Sequence, residues 1–514
     1  MATLCPRLAL REVPHRRAVD RHLRLALRRH GVHSSFVRVG AYTGTAAFNV
    51  RFGASTLHRL FEMRNPFKWQ ELQKDSERLH LFQEKLATTR LLIFDEVSMI
   101  GRQMMGKISS RSLQAKSDEQ NPSRDPLGHM SCVAVGDPAQ CPPIKDDVLY
   151  DQETHKDSLE DPDATGVRMS NESLRVYSMF DDVIILQQCR RIHRRRGELT
   201  DEDVAYNERG QRLLAIMSRL RDCAWTEEDY YWLCKRKKSQ LGLRERTLFE
   251  DAPKIMEFRK ERDNEDPDDS CEAYNRRQLY VLAKASGVPV ARITASHTGV
   301  QEDEGLQLPE ELFHGLAAVL EVCEGAPILY THNLWISAGL INGTRGVVRA
   351  IVYRRGGRPD HPVPAMRLPV VLLVECDEYA GAPFFDVDAY PEPRKWVPFF
   401  PRSQDLENDE TVSRTQLSVV LAWALTPWKA QGMSLEKVEV KIGAAASRPG
   451  VAFTALTRAR HPDGLVIDDD FPVMSAFQKQ KLHKSFQKRQ HWERLARAKF
   501  SGTIRRHMRD AAMY

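Results

Sequence analysis

The 514-residue chain lacks any run of 18 consecutive apolar residues; its longest, Val419–Leu425 and its neighbours, is too short for a bilayer-crossing helix. It also lacks a Cys-x-x-Cys pair. Its nine cysteines (Cys5, Cys132, Cys141, Cys189, Cys223, Cys234, Cys271, Cys323, Cys376) are odd in number and scattered. Neither a disulfide framework nor a zinc module is indicated, and the pattern reads as that of a soluble intracellular protein. Internal repeats are absent. Lysine is missing from residues 1–36, and glycine occurs there once, as Gly31. What is present is 42% hydrophobic and 28% charged sequence, enough for three or four domains with apolar cores.

Charge is unevenly spread. Residues 1–40 carry nine arginines against Glu12 and Asp20, and residues 471–514 carry eleven Lys or Arg against Glu493 and Asp510. The ends are therefore +7 and +9, and the middle −10, within a net charge of +6. Such ends attract a polyanion or form solvated helix faces. The start, with Arg7, Arg11, Arg16 and Arg17, has some likeness to a mitochondrial transit peptide, which its low serine content, Glu12 and Asp20 oppose.

Short apolar runs at Val37–Val39, Leu91–Phe94 and Cys132–Val135 each end at polar or small residues, with helical patterns between them at Leu23–Arg29 and Leu72–Leu86. Buried strands alternating with helices predict an α/β domain built on a mostly parallel sheet. Ligands of such sheets bind at the carboxyl ends of the strands, where these loops fall. Polar stretches follow at Gln114–Gly128 and Asp151–Gly166, and an acidic loop at Glu261–Ser270. From Ala317 the pattern turns to β: Pro327–Tyr330, an Asn342-Gly343 turn, Gly346–Tyr353 and Pro369–Glu375. A last α/β segment spans Leu417–Ile467, and a basic helix closes the chain.

Asp95-Glu96 follows the buried run Leu91-Leu92-Ile93-Phe94. One carboxylate there can hold Mg²⁺ beside a nucleotide's phosphates while the next orients the attacking water. A lone pair of this kind is more often a helix cap and a surface acid. This pair has company. Gly136-Asp137-Pro138-Ala139-Gln140-Cys141-Pro142-Pro143 follows a second apolar strand, and Gln140 can report a γ-phosphate by hydrogen bond. Upstream, Tyr42-Thr43-Gly44-Thr45 and Ser55-Thr56-Leu57-His58 offer hydroxyls and small residues that let amides approach a nucleic-acid phosphate, or simply a tight turn. Near the other end, Thr426-Pro427-Trp428-Lys429-Ala430-Gln431-Gly432 follows the apolar strand Val419–Leu425, and Thr457-Arg458 precedes another strand. An arginine brought to a γ-phosphate is typically worth ~10³–10⁵ in rate.

Seven segments in order, AYTGTAAFNV–STLHRLF, LLIFDEVSMI, VAVGDPAQCPPI, LQQCRRI, GAPILYTHNLWISAGLINGTRGVV, LAWALTPWKAQGMSL and FTALTRAR, resemble the superfamily 1 DNA helicases of the Pif (petite integration frequency) type, relatives of RecD. They run from about residue 37 to 470. The resemblance implies two RecA-like P-loop NTPase-type α/β domains with a small β-barrel-like (SH3-like) insertion in the second. It divides the chain into 1–185, then 186–316 with 414–470, the insertion 317–413 and a basic tail 471–514. It implies a 5′-to-3′ DNA helicase using ATP and Mg²⁺ on single-stranded DNA and forks, without a membrane. In this reading Asp95 is the metal ligand, Glu96 the catalytic base, Gln140 the γ-phosphate sensor and Arg458 the arginine finger. Arg191, or else Arg190, is a second nucleotide arginine. Thr43, Gly44, Thr56 and His58 fall in a DNA-contacting segment. Thr426, Lys429, Gln431 and Gly432 fall in the segment coupling nucleotide state to DNA grip, and Asn342 in a β-rich insertion that borders the DNA channel. Repair, recombination, telomere maintenance and a nuclear or mitochondrial location are the family's settings.

The chain departs from this pattern at its front. The family's G-x-x-x-x-G-K-[ST] loop, whose amides and lysine cradle phosphates, would fall near residues 9–18, where the sequence is ALREVPHRRA. The adenine-reading glutamine segment upstream of it is absent too. Gly101–Lys107 fits G-x-x-x-x-G-K, but Ile108 stands where Mg²⁺ needs a hydroxyl, and the bulky residues between suit a helix. Pro427-Trp428 replaces an aliphatic-histidine pair, and Ala430 a serine. The expectation is a truncated helicase chain that hydrolyses ATP poorly or not at all. The alternative is a non-hydrolysing, nucleic-acid-binding remnant of transposon (Helitron) descent.

Overall fold

The computed structural model describes residues 2–4, 36–50, 53–63, 69–117, 125–154, 164–186, 189, 191–259, 270–376, 378–386, 392–406, 409–443, 446 and 448–512. The expected helix Leu23–Arg29, the segment 9–18, Arg190 and almost all of the acidic loop Glu261–Ser270 lie outside them. Two compact units form: Met1–Glu250 with Ala430–Tyr514, and Asp251–Lys429.

The first unit is organised by a six-stranded sheet of β1 (Ala2–Leu4), β2 (Val37–Ala41), β3 (Ser55–Thr56), β4 (Leu91–Asp95), β5 (Ser131–Val135) and β6 (Asp182–Ile184), in the order β3-β2-β4-β5-β1-β6. Every pairing is parallel. Such strands are covered on both faces, which is why β4 reads as an unbroken apolar run; Leu92 and Phe94 are fully enclosed. The register sets Ala41 opposite Asp95 and Phe94 opposite Ala134, so the carboxyl ends of β2, β4 and β5 are level. The parallel α/β class and the three strands expected from the sequence are borne out.

Helices α1 (Gly44–Val50), α2 (Leu57–Leu60), α3 (Glu77–Leu86), α4 (Arg102–Lys116), α5 (Ala164–Ser178) and α6 (Asp201–Arg221) follow in the chain. The helix expected over Leu72–Leu86 begins five residues later, because Ser76 caps it by accepting from Leu79 N at 3.2 Å. From there Leu79, Phe82 and Leu86 turn to the core with Leu57, Phe61 and Phe94. Gly101–Lys107 opens α4 and forms no loop. A β-carbon on Gly106 would stand 1.9 Å from the Met169 carbonyl oxygen, so this glycine serves the close crossing of α4 and α5.

The second unit holds β7 (Lys254–Met256), helix α7 (Cys271–Ser286), β8 (Ala291–Thr294), β9 (Ser296–Thr298), β10 (Val319–Val322), β11 (Pro327–Tyr330), β12 (Arg345–Val352), β13 (Val371–Glu375), β14 (Trp396–Phe399), β15 (Arg402–Leu406), β16 (Asp409–Gln416), β17 (Val419–Leu421) and β18 (Ala424–Leu425). An antiparallel sheet β14-β13-β12-β11-β17 forms its β-rich core, with Tyr330 stacked on Phe399 at 4.4 Å. The β-rich part starts before residue 317, since β8 pairs with β10 and β9 with β16. Asn342-Gly343 closes a longer connection, 331–344, where Thr344 Oγ1 donates to the Gly339 carbonyl and accepts from Ile341 N. The run Val419–Leu425 is two strands: β17 pairs antiparallel with β11, and β18 parallel with β7.

The chain then adds to the first unit the parallel pair β19 (Val438–Lys441) and β20 (Leu465–Ile467), helix α8 (Val451–Leu456) and the long α9 (Lys484–Ala512). The tail is helical as expected, but one face of it is built in. Thr503 Oγ1 accepts from Val183 N at 3.1 Å, Lys499 Nζ donates to the Phe180 carbonyl at 2.9 Å, and Trp492 lies against Tyr150 and Tyr177.

Candidate functional site

Asp95 is the last residue of β4, and Glu96 follows with φ 55° and ψ 47°, a left-handed backbone that a glutamate adopts only when held there. Gly136, just after β5, permits it: a β-carbon at that position would stand 2.7 Å from Val97 N. Both acids are buried, each 3% exposed, in a place where ions need partners. Glu96 has one in Gln431, whose Nε2 donates to Glu96 Oε2 at 3.1 Å and to Ser98 Oγ at 3.2 Å. Gly432 adds a second tie to the sheet edge, its carbonyl accepting from Asn49 Nδ2 on α1 at 2.9 Å.

The loop after β5 is fixed from two sides. Asp137 Oδ1 accepts from Ala139 N at 3.0 Å and the Asp137 carbonyl from Gln140 N at 3.1 Å, which makes the turn that presents Gln140. Cys141 N donates to Thr454 Oγ1 on α8 at 2.9 Å. Burial pushes the Cys141 thiol up to about 12, with the hydrogen bond from Thr454 and the charge of Arg458 opposing and that of Glu96 adding. That thiol is a packing group, not a nucleophile.

Arg458 is wholly enclosed just past α8. Its Nε donates to the Thr454 carbonyl at 2.7 Å, Nη1 to the Met433 carbonyl at 3.2 Å and Nη2 to Thr457 Oγ1 at 3.0 Å. Arg191, 5% exposed, donates Nη1 to the Thr457 carbonyl at 3.1 Å. Asp95, Glu96, Gln140, Arg191, Gln431, Gly432 and Arg458 thus all lie in one unit, where Gln431 reaches Glu96 after β4 and α8, just ahead of Arg458, reaches the loop after β5.

Thr43, Gly44, Thr56 and His58 come together at the neighbouring strand ends, where β2 and β3 pair with Ala41 opposite Thr56. Thr43 Oγ1 caps α1 by accepting from Ala46 N at 3.1 Å. Gly44 and Thr56 are buried, and Thr43 and His58 are partly buried. His58 meets Tyr42 edge to face at 5.8 Å. Burial, then the charge of Lys107, lowers its pKa to about 4, so it is neutral at pH 7. Asn342, Thr426 and Lys429 belong to the other unit. There Thr426 Oγ1 accepts from Lys429 N at 3.4 Å, and burial, then the charge of Arg259, lowers the Lys429 ammonium to about 8.

Among the described residues, two buried amide oxygens, Gln140 Oε1 and Gln431 Oε1, have no hydrogen-bond partner. Each wants a donor, as a water in a metal's shell or an attacking water supplies. Two buried carboxylates, these acceptors and a buried guanidinium fit the metal and water side of a Mg²⁺–nucleotide complex. Asn49, Ser98 and Thr454 were not singled out from the sequence, although all three stand inside or beside the motif segments.

Residues 21–158 match the family model described as PIF1-like helicase. An ATP-dependent DNA helicase PIF1 of Xenopus laevis is 35% identical over 158 residues, 30% of this chain and 21% of that protein. The match thus spans about a fifth of that curated relative's length. Among solved structures, Pif1 helicase from Candida albicans shares the fold with a TM-score of 0.60 at 20% identity, covering 97% of this chain and 95% of that one. Pif1 from Bacteroides, in complex with ADP-AlF3 and ssDNA, gives 0.58 at 18%, over 92% and 89%. The resemblance read from the motifs is borne out, and the fold is the RecA-like α/β fold of those helicases.

Proposed function

We propose that this chain is the motor part of an ATP-dependent DNA helicase of the Pif type, working 5′-to-3′ on single-stranded DNA and at forks. The observation that carries the reading is the burial of Asp95, Glu96, Gln140, Gln431 and Arg458 in one unit, about the loops after β4 and β5. Core packing demands none of these types there. Mg²⁺–ATP, when bound, supplies the phosphoryl group whose transfer drives movement. Asp95 is the residue to hold the metal. Glu96, fixed by Gln431, orients a water and takes its proton at the carboxylate. Gln140 accepts from bound water, and Arg458 and Arg191 supply positive charge. Thr43, His58, Asn342, Thr426 and Lys429 are the DNA-contacting set. Repair, recombination and telomere maintenance, in nucleus or mitochondrion, are the settings such an activity serves.

The sequence pattern G-x-x-x-x-G-K-[ST] does not occur in these 514 residues, so the chain does not carry the loop lysine that usually compensates β- and γ-phosphate charge. Hydrolysis by the 514-residue chain is therefore expected to be slow. The test is ATP turnover with and without single-stranded DNA, in the parent and in Glu96→Gln. A low turnover that DNA raises and Glu96→Gln abolishes supports the reading. Turnover indifferent to Glu96→Gln overturns the role given to that residue. DNA binding without any turnover favours the non-hydrolysing, DNA-binding alternative.

A further inference from the structure

Residues 484–512 lie outside every motif, yet α9 reaches the Gln140 loop through one buried guanidinium. Arg221, the last residue of α6, donates Nε and Nη2 to Asp137 Oδ1 at 3.2 and 2.9 Å. The same group donates Nη2 and Nη1 to the two carboxylate oxygens of Glu493 on α9 at 2.7 and 3.1 Å. Nη1 also meets Asp222 Oδ1 at 2.9 Å. Arg489, one turn before Glu493, donates Nη2 to the Arg221 carbonyl at 2.6 Å and lies 3.7 Å from the Glu493 carboxylate. Arg221, Arg489, Asp137 and Glu493 are all buried, so removing one leaves another short of a partner.

A buried ion network of this kind is a poor way merely to attach a helix, since apolar residues of the same volume do that at least as well. What it does that apolar packing does not is fix the orientation of a carboxylate. Asp137 is that carboxylate, and the oxygen it presents to Arg221 is the one that accepts from Ala139 N. The turn that places Gln140 is therefore held by the same atom that α9 holds through Arg221.

We propose that Arg221 and Glu493 are positioning residues for the sensor loop: α9 orients Asp137 through Arg221 and thereby sets the place of Gln140. Its meaning for catalysis rests on the nucleotide-site reading above. The mechanical statement rests on the buried network and holds whether or not the chain hydrolyses ATP.

The experiment is amide hydrogen exchange on the full 514-residue chain, without nucleotide or DNA, so its failure is distinct from failure of the helicase reading. In Glu493→Gln the amides of Ala139, Gln140 and Cys141 should exchange about tenfold faster or more, the equivalent of one lost charge-assisted hydrogen bond. Peptides of α4 should keep the parent's rates. Glu493→Asp, which restores the charge, should recover part of the protection, and Arg494→Gln on the exposed face should change nothing. Unchanged exchange at 139–141 in Glu493→Gln, or an increase spread equally over α4, overturns the proposal. Should Glu493→Gln not fold, Arg221→Lys, which keeps the charge and loses the fork, is read on the same peptides with the same two outcomes.

Discussion

Glu96 concentrates the constraints of the site: a positive φ, a buried carboxylate and an amide donor from 335 residues away. Glu96→Gln keeps an oxygen for Gln431 to donate to, so it should unfold in urea within ~0.5 kcal/mol of the parent. Gln431→Ala leaves Glu96 and Ser98 without that donor and should cost about 1.5–3 kcal/mol on the same curve. His58 adds a pH dependence whose sign is fixed by its lowered pKa. The unfolded chain binds its proton near 6.5 and the folded chain only near 4, so stability is full above 6.5 and falls as pH drops toward 4. His58→Gln should flatten the urea midpoint over that window; an unaltered slope counts against the burial described. Lys429 titrates at about 8, so single-strand affinity should weaken from pH 7 to 9 in the parent and hold in Lys429→Arg. The carboxylates, Gln140, Gln431 and Arg458 were legible because each stands at a fixed place beside a strand or turn. Arg221 and Glu493 were not, since a buried ion pair between residues 272 apart leaves no local pattern.

Among the elements, strands were the more legible, because a parallel strand covered on both faces is a short apolar run and little else resembles it. Their ends carried the site for the same reason. The run Val419–Leu425 shows the limit: periodicity cannot report that Ala422 and Trp423 break it and send its halves to different partners. Gly101–Lys107 shows another, as a string of residue types says nothing of the backbone that presents them. At α4 the structure makes a definite demand. Gly106→Ala must displace the Met169 carbonyl or part the two helices, and should lower unfolding free energy by about 1–3 kcal/mol. Lys107→Ala should leave nucleotide binding unchanged, where a phosphate-loop lysine would abolish it. Fluorescent-nucleotide titration separates the two.

For the molecule as a whole, the positive ends and the −10 middle say little about fold and much about partners. The basic helix at the end divides its labour: Glu493, Arg489 and Thr503 face inward, while Lys484, Arg494 and Arg497 face out. Charge counting alone could not separate those faces. The account's central claim is that this scaffold grips single-stranded DNA, and equilibrium binding tests it most directly. A fluorescent oligothymidine and a duplex of equal length would be titrated with the 514-residue chain at several salt concentrations. The account predicts at least about tenfold tighter binding of the single strand, with log K falling by ~0.7 per phosphate neutralised for each unit of log salt. It also predicts weaker single-strand binding in Lys429→Ala. Equal affinity for both forms, or single-strand binding that Lys429→Ala leaves untouched and salt does not weaken, would contradict it.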